Sequence, residues 1–190
     1  MEALNEIKGK EILSSNGRSM GEMIDITYDK EFKIDEIVVK MNKEVIDELG
    51  ENKPLLSSLK LGIDVEHVKA FTDNVVLKEP IEQLQHHFKD VSEKKFVSSF
   101  VGMEISGSNG NDVGKVEDVL IDTESLGTIS LLVKIKKDIL ETLDLKKSLL
   151  SKTRLGVSMK HVKSIGDKIM MDTNIEDMGK IIQEEPIKKL

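Results

Sequence analysis

The 190-residue chain has no cysteine and no tryptophan, one tyrosine and three prolines. Without cysteine there is no disulfide framework and no thiolate chemistry, in keeping with a cytoplasmic setting. With only five phenylalanines beside that tyrosine, the core has to be aliphatic, with nine methionines as filler. No apolar run approaches the ~20 residues that a membrane helix needs. The opening stretch MEALNEIKGKE lacks the apolar core of a signal peptide. Basic side chains are in deficit, 28 against 35 acidic, and a net charge of −7 weighs against nonspecific nucleic-acid binding as the main task. The deficit is uneven: residues 1–95 carry 14 basic and 20 acidic side chains, residues 96–190 carry 14 and 15. Hydrophobic residues at 38% and charged residues at 33% fit a soluble globular protein of one domain or two small ones.

What the chain does contain is one stretch written twice. Gly102–Asp122, GMEISGSNGNDVGKVEDVLID, reads as two strands joined at Asn109-Gly110, a pair able to hold positive φ at both central positions of a tight hairpin. Gly9–Asp29, GKEILSSNGRSMGEMIDITYD, matches it without a gap at 9 of 21 positions, among them Asn16, Gly17, Gly21, Asp25 and Asp29. The likeness continues at an offset of 94. Leu55-Leu56-Ser57 falls over Leu149-Leu150-Ser151, and His67-Val68-Lys69 over His161-Val162-Lys163. Two copies of one unit are therefore expected.

In the first copy the pattern predicts strands at 9–14, 20–28 and Ile34–Met41, with Ile37, Val39 and Met41 on one face. A helix over Lys43–Leu49, capped by Asn42 and ended by Gly50, follows. Then come a strand over Leu59–Ile63, a tight turn at Val65–Val68 and closing strands to Leu77. A helix after each copy is predicted from stripes at Ile81, Leu84 and Phe88 and at Ile175, Met178 and Ile182, with Pro80 opening the first. The expected fold is mainly β: two tandem small β-barrels, each followed by a short α-helix. The expected domains are 1–78, a linker helix 79–95, 96–172 and a C-terminal helix 173–190. Barrels remove the exposed edges that open sheets of this size would leave.

The signals for chemistry are weak. Asp25 and Asp29, like Asp118 and Asp122, stand four apart, about 13 Å along a strand, too far for a catalytic pair, and are expected to bond turn amides. His67 and His161 occupy equivalent turns with no Cys or second His at ligand spacing, so each is expected to pack its ring on the barrel. His86 and His87 are adjacent on an expected helix and point apart. Gly107–Lys115 is no P-loop: its glycines are misplaced and Val116 stands where Ser or Thr is required. No Ser/His/Asp arrangement stands out. Asn16, Gly17, Gly21, Asn109, Gly110 and Gly114 are read as structural turn residues. One feature rises above this background. From Lys134 to Lys168 there are ten basic and four acidic residues, against five and seven from Lys40 to Asn74. Lys134, Lys136, Lys137, Lys146, Lys147, Lys152 and Arg154 are the candidate partner contacts, with head-to-tail association of the unlike copies one use of the contrast. An acidic partner or an anionic membrane surface is a rival use.

The residues Gly102, Ile105, Asn109-Gly110, Gly114-Lys115-Val116, Asp118-Val119 and Asp122, with the later VKSIGDKIMM (Val162–Met171), resemble the PRC-barrel domain. The resemblance covers roughly residues 8–78 and 101–172. The first copy departs from the pattern at Glu22-Met23 and at Ala70–Asn74, where Thr72 replaces a glycine. The resemblance implies a non-enzymatic adaptor without cofactor or metal, working through protein partners. Proteins with little beyond such barrels are similar to archaeal cell-division proteins, which contact the membrane-anchoring protein of the division ring and one another, so recruitment of a cytoplasmic protein to the division site is implied. A ribosome-maturation adaptor gripping a ribosomal protein or RNA is the alternative.

Overall fold

Both Gly-rich stretches form the hairpins on which the structure is built. The structure is a computed structural model and describes residues 1–49, 60–127, 129–143 and 154–184. In chain order its first elements are β1 (Glu2–Ala3), α1 (Leu4–Ile7), β2 (Glu11–Leu13), β3 (Ser19–Tyr28), β4 (Ile34–Met41), α2 (Lys43–Glu48) and β5 (Lys60–Asp64). A 3-10 turn at Val65–His67 leads to β6 (Val68–Phe71), β7 (Val75–Leu77), α3 (Ile81–Leu84) and β8 (Phe88–Asp90). A second 3-10 turn, Val97–Phe100, precedes β9 (Glu104–Ser106), β10 (Asp112–Ile121), β11 (Ile129–Ile135), α4 (Lys137–Thr142) and β12 (Arg154–Ser158). A third, Met159–His161, leads to β13 (Val162–Ile165), β14 (Ile169–Met171) and α5 (Ile175–Glu184).

The strands form two sheets of one plan. The first runs β6-β7-β2-β3-β4-β5-β8, the second β13-β14-β9-β10-β11-β12. In each, the hairpin's first strand pairs parallel to the copy's last strand, Ile12 opposite Val75 and Ile105 opposite Ile169. All the other pairings within the two sheets are antiparallel. Two curled half-barrel sheets with short helices result, the mainly β class expected from the repeat. The chain divides into two compact units: Leu4–Val97 with Thr123–Gly127, and Met1–Ala3 with Ser98–Asp122 and Thr128–Leu190. β1 therefore belongs with the second copy, pairing Glu2 with Ile121 and Ala3 with Leu120 of β10. Neither β1 nor α1 was expected from the sequence.

The hairpin turn differs from the expected type. Gly17 and Gly110 have φ of 80° and 82°, whereas neither asparagine before them has positive φ. Gly17 N–H donates to Ser14 O and Ser14 N–H to Arg18 O; Gly110 and Gly107 repeat this with Gly107 and Asn111. Each is a three-residue loop, a type I turn followed by one left-handed residue, so only the glycine needs the unusual conformation. Gly21 and Gly114 serve another purpose. A side chain there would place its first carbon 2.2 Å from Lys40 O or Lys134 O across the ladder, so the neighbouring strand can approach only a glycine.

Each long strand bends at a bulge, between Met23 and Asp25 and between Val116 and Asp118. A bulge leaves ladder groups unpaired. The aspartate serves the next amide: Ile26 N–H donates to Asp25 Oδ1 at 2.9 Å, and Val119 N–H to Asp118 Oδ1 at 2.7 Å. Asp29 accepts from the Glu31 and Lys33 amides of a turn. Asp29 thus bonds turn amides as expected, whereas Asp25 and Asp118 bond amides at bulges within the long strands and not at turns. The cores are aliphatic, with Ile12, Met23, Val39, Ile63 and Leu77 buried in the first copy and Ile105, Val116, Leu131, Val133 and Ile169 in the second.

The expected linker helix 79–95 is helical only over Ile81–Leu84. His86, His87 and Phe88 are indifferent helix formers, and the outer edge of β5 offers unpaired backbone groups. Phe88–Asp90 takes that edge as β8, placing Phe88 opposite Ile63 and Asp90 opposite Leu61. Phe88 is thus a strand residue, while Ile81 and Leu84 are buried as the stripe predicts. In the second copy Ile175 and Met178 are buried on α5; the Ile182 side chain lies outside the described residues. Asn42 holds the N-cap position of α2, but its side chain makes no capping bond and donates to Ser19 Oγ at 3.2 Å instead. Gly50 and Leu59 lie outside the described residues. At the closing hairpin, Thr72 N–H donates to Asn74 O as Gly166 N–H does to Lys168 O. Gly166 has no positive φ, so threonine fits the same turn.

Candidate functional site

The strand register gathers the basic residues of the second copy. Lys115 of β10 stands opposite Lys134 of β11, and Lys134 opposite Arg154 of β12. All three are exposed, and together they make a row of cations across three strands. Like charges directly opposite one another weaken a sheet, and Glu104 of β9 stands opposite Lys115 at the end of the row. The first copy has Glu22, Lys40 and Lys60 in the same register. Lys115 escaped the sequence reading because it lies before the basic window; only the pairing of β10 with β11 brings it to Lys134.

Part of this charge is compensated. Arg154 pairs with Glu117, its Nη2 donating to Oε1 at 2.7 Å and its Nε bonding Oε2, which holds the guanidinium above its ordinary pKa. Lys168 bridges Glu104 at 2.8 Å and Asp112 at 2.9 Å, and is held well above the usual lysine range, first by Glu104 and then by Asp112. Asp112 also meets Lys136 at 3.4 Å and is held below the ordinary aspartate range, chiefly by Lys168. Asn42 and Ser19 form a neutral hydrogen bond at the positions equivalent to Lys136 and Asp112. The second copy thus has an ion pair where the first has a neutral hydrogen bond. Lys137 is exposed at the start of α4. Lys146, Lys147 and Lys152 lie outside the described residues. The turn residues stay with the hairpins. Asn16 Oδ1 accepts from Ser14 Oγ, Asn109 Oδ1 accepts from the Asn111 amide, and Gly17, Gly21, Gly110 and Gly114 act as described above.

The first unit contains a buried carboxylate that alternation along β4 places outside. Glu36 is 0% exposed. The Thr27 hydroxyl donates to its Oε2 at 3.2 Å, and Lys94 and Lys89 stand 3.3 and 3.9 Å from Oε1. A side chain at Gly62 would meet both Glu36 and Val91 at 2.8 Å. The chain around β8 therefore covers this face, which turns an outward position into an inward one. Lys94 is held above its ordinary range, first by Asp35. Lys89 is raised too, first by Asp64. Paired and hydrogen-bonded in this way, the carboxylate is a structural element of β4.

Beside β12 and α5 lies a crevice lined by Gly156, Ser158, His161, Thr173 and Met178, with room for about one water molecule. Among the described residues no helix is long and apolar enough to cross a membrane.

Fold and surface together define a small β-barrel module that presents charged strand faces. Residues 92–178 match the PRC-barrel domain. The strand order shared by the two half-barrel sheets is consistent with two PRC-like barrels. Comparison with curated proteins finds no match to the chain.

Proposed function

We propose that the chain is a non-enzymatic adaptor that joins protein partners through its two barrel surfaces. The observation that carries this reading is the cationic row Lys115, Lys134 and Arg154 on a module of the PRC-barrel type, at positions where the first copy has Glu22, Lys40 and Lys60. Two unlike faces on one chain fit two different partners, and linkage raises their effective concentration at a shared assembly. The second barrel, through Lys134, Lys136, Lys137, Lys146, Lys147, Lys152 and Arg154, takes an acidic protein surface. The assembly we propose is the archaeal division apparatus, with the membrane-anchoring protein of the ring as the partner; this rests on the resemblance of paired barrels to that group. The test is capture with the tagged full chain from cross-linked source cells. Division-ring proteins recovered by the wild type and lost with Lys134→Glu/Arg154→Glu support the reading. Ribosomal proteins recovered in their place would move it to ribosome maturation. Self-association head to tail is part of the same proposal, and light scattering across a salt series checks it: a mass that stays monomeric at every concentration in low salt rules it out.

A further inference from the structure

The first barrel carries a constellation that the adaptor reading does not use. Asp64 ends β5, and Glu66 and His67 lie in the 3-10 turn that follows. One carboxylate oxygen from each acid and one His67 ring nitrogen lie within 4.8 Å of one another. His67 is 8% exposed. Its Nε2 is buried, has no hydrogen-bond partner, and lies 3.8 Å from Glu66 Oε1. A buried polar atom without a partner is costly and calls for an explanation. The other ring nitrogen, Nδ1, stands 3.2 Å from Glu79 Oε2. Glu79 Oε2 makes no hydrogen bond; a carboxylate beside one imidazole nitrogen is nonetheless the arrangement found behind metal-binding histidines. The His87 ring lies against that of His67, centroids 4.3 Å apart. The fold thus brings up a second imidazole twenty positions along the chain.

We propose that Asp64, Glu66 and His67 form a binding site for a divalent transition-metal ion of the zinc class, with Glu79 orienting the imidazole and His87 beside it. The mixed imidazole and carboxylate donors favour zinc, nickel or copper over calcium and magnesium, which take oxygen ligands. Two donors on a tetrahedral ion stand about 3.4 Å apart, for bonds of ~2.0–2.1 Å. The 3.8 Å separation closes to that with a small swing of the exposed Glu66 side chain. Lys89 donates to Asp64 at 2.8 Å; a carboxylate has lone pairs for both, but the ammonium competes and keeps the affinity modest.

The second copy is an internal control. Ninety-four positions on, Ser158, Lys160, Thr173 and Ile181 replace Asp64, Glu66, Glu79 and His87, and His161 is retained. One histidine keeps its place in both barrels, with Asp172 Oδ1 3.7 Å from His161 Nδ1 in the second; the acids at 64, 66 and 79 are present only in the first.

The experiment uses the full chain, free of any affinity tag and stripped with a chelator. It is titrated with Zn2+ against a chromophoric competitor and with Co2+ for the visible spectrum. One ion per chain is expected, with affinity weakened at least tenfold by Glu66→Gln and by Asp64→Asn and unchanged by His161→Gln. His67→Gln risks the fold because the ring is buried; Glu66→Gln, on an exposed side chain, does not. A Zn2+-dependent rise in melting temperature should be present in the wild type and absent in Glu66→Gln. No stoichiometric binding at millimolar Zn2+, or binding that both carboxylate variants leave intact, overturns the proposal.

Discussion

Replacing Gly114 by alanine tests whether the close approach of β10 and β11 demands a missing side chain. The added carbon would lie 2.2 Å from Lys134 O, 3.0 Å from Lys134 C and 3.1 Å from Ile135 Cα. All three atoms are backbone, so no side chain can rotate away. Relieving the worst contact to an ordinary 3.4 Å means parting the strands by more than an ångström at the pairs Gly114–Ile135 and Lys115–Lys134. Two stretched ladder bonds at about 1 kcal/mol each, with overpacking of about 1–3 kcal/mol, put the loss near 3–5 kcal/mol. For a unit of this size that corresponds to a melting temperature lower by roughly 15 °C or more. Gly110→Ala has open space but a φ of 82°, so it should cost about 1 kcal/mol. Gly166→Ala meets no atom within 4 Å and has ordinary φ; it should be neutral or stabilising by about 0.5 kcal/mol. Urea unfolding of the full chain measures the series. Hydrogen exchange localises it: peptides from Glu104–Ile121 should lose protection in Gly114→Ala and those from Glu11–Tyr28 should not. A Gly114→Ala protein as stable as the wild type, or less affected than Gly110→Ala, would refute the steric argument.

Asp118→Ala leaves the buried Val119 amide at the bulge without its acceptor and should cost about 1–3 kcal/mol in urea unfolding, with Asp118→Asn, which keeps an acceptor oxygen, costing less. Asp112 has its pKa depressed by Lys168 and then Lys136. The stability it adds is therefore present above the ordinary aspartate pKa of about 3.9 and is lost as pH falls through the lower folded value. An acid titration followed by circular dichroism should show a shallower loss between about pH 5 and pH 2 in Asp112→Asn than in the wild type. Equal slopes would show that the ion pairs at Asp112 add nothing.

The fold was legible because its demands fall on residue types with few substitutes. The turn glycines, the strand-crossing glycines and the bulge aspartates are among the identities that the two copies share, and each answers a backbone requirement that no packing change relaxes. The hairpin turn was misjudged because Asn-Gly serves two loop types, and only the hydrogen bonds from Ser14 and Gly107 separate them. β8 was missed since Ile81, Leu84 and Phe88 keep helical spacing, and what decides the matter is the free edge of β5, which is not local in sequence. The burial of Glu36, on the face of β4 away from Ile37, Val39 and Met41, has the same non-local cause. The basic window was visible as a count, but its meaning depends on register. Lys115 joins the row from outside it, and Glu104, Asp112 and Glu117, also outside, neutralise part of it. His67 was seen without its neighbours, because Glu79 and His87 reach it only through the fold.

The pairing of Glu2 and Ala3 with β10 bears on how the polypeptide matures. At synthesis rates of 5–20 residues per second, those two residues leave the ribosome about ten seconds before Leu120 and Ile121 exist. The intervening segment can complete most of the first sheet in that interval, while β1 waits for its partner strand. Removal of β1, or dissection of the gene between the repeats, therefore acts on the later-made barrel.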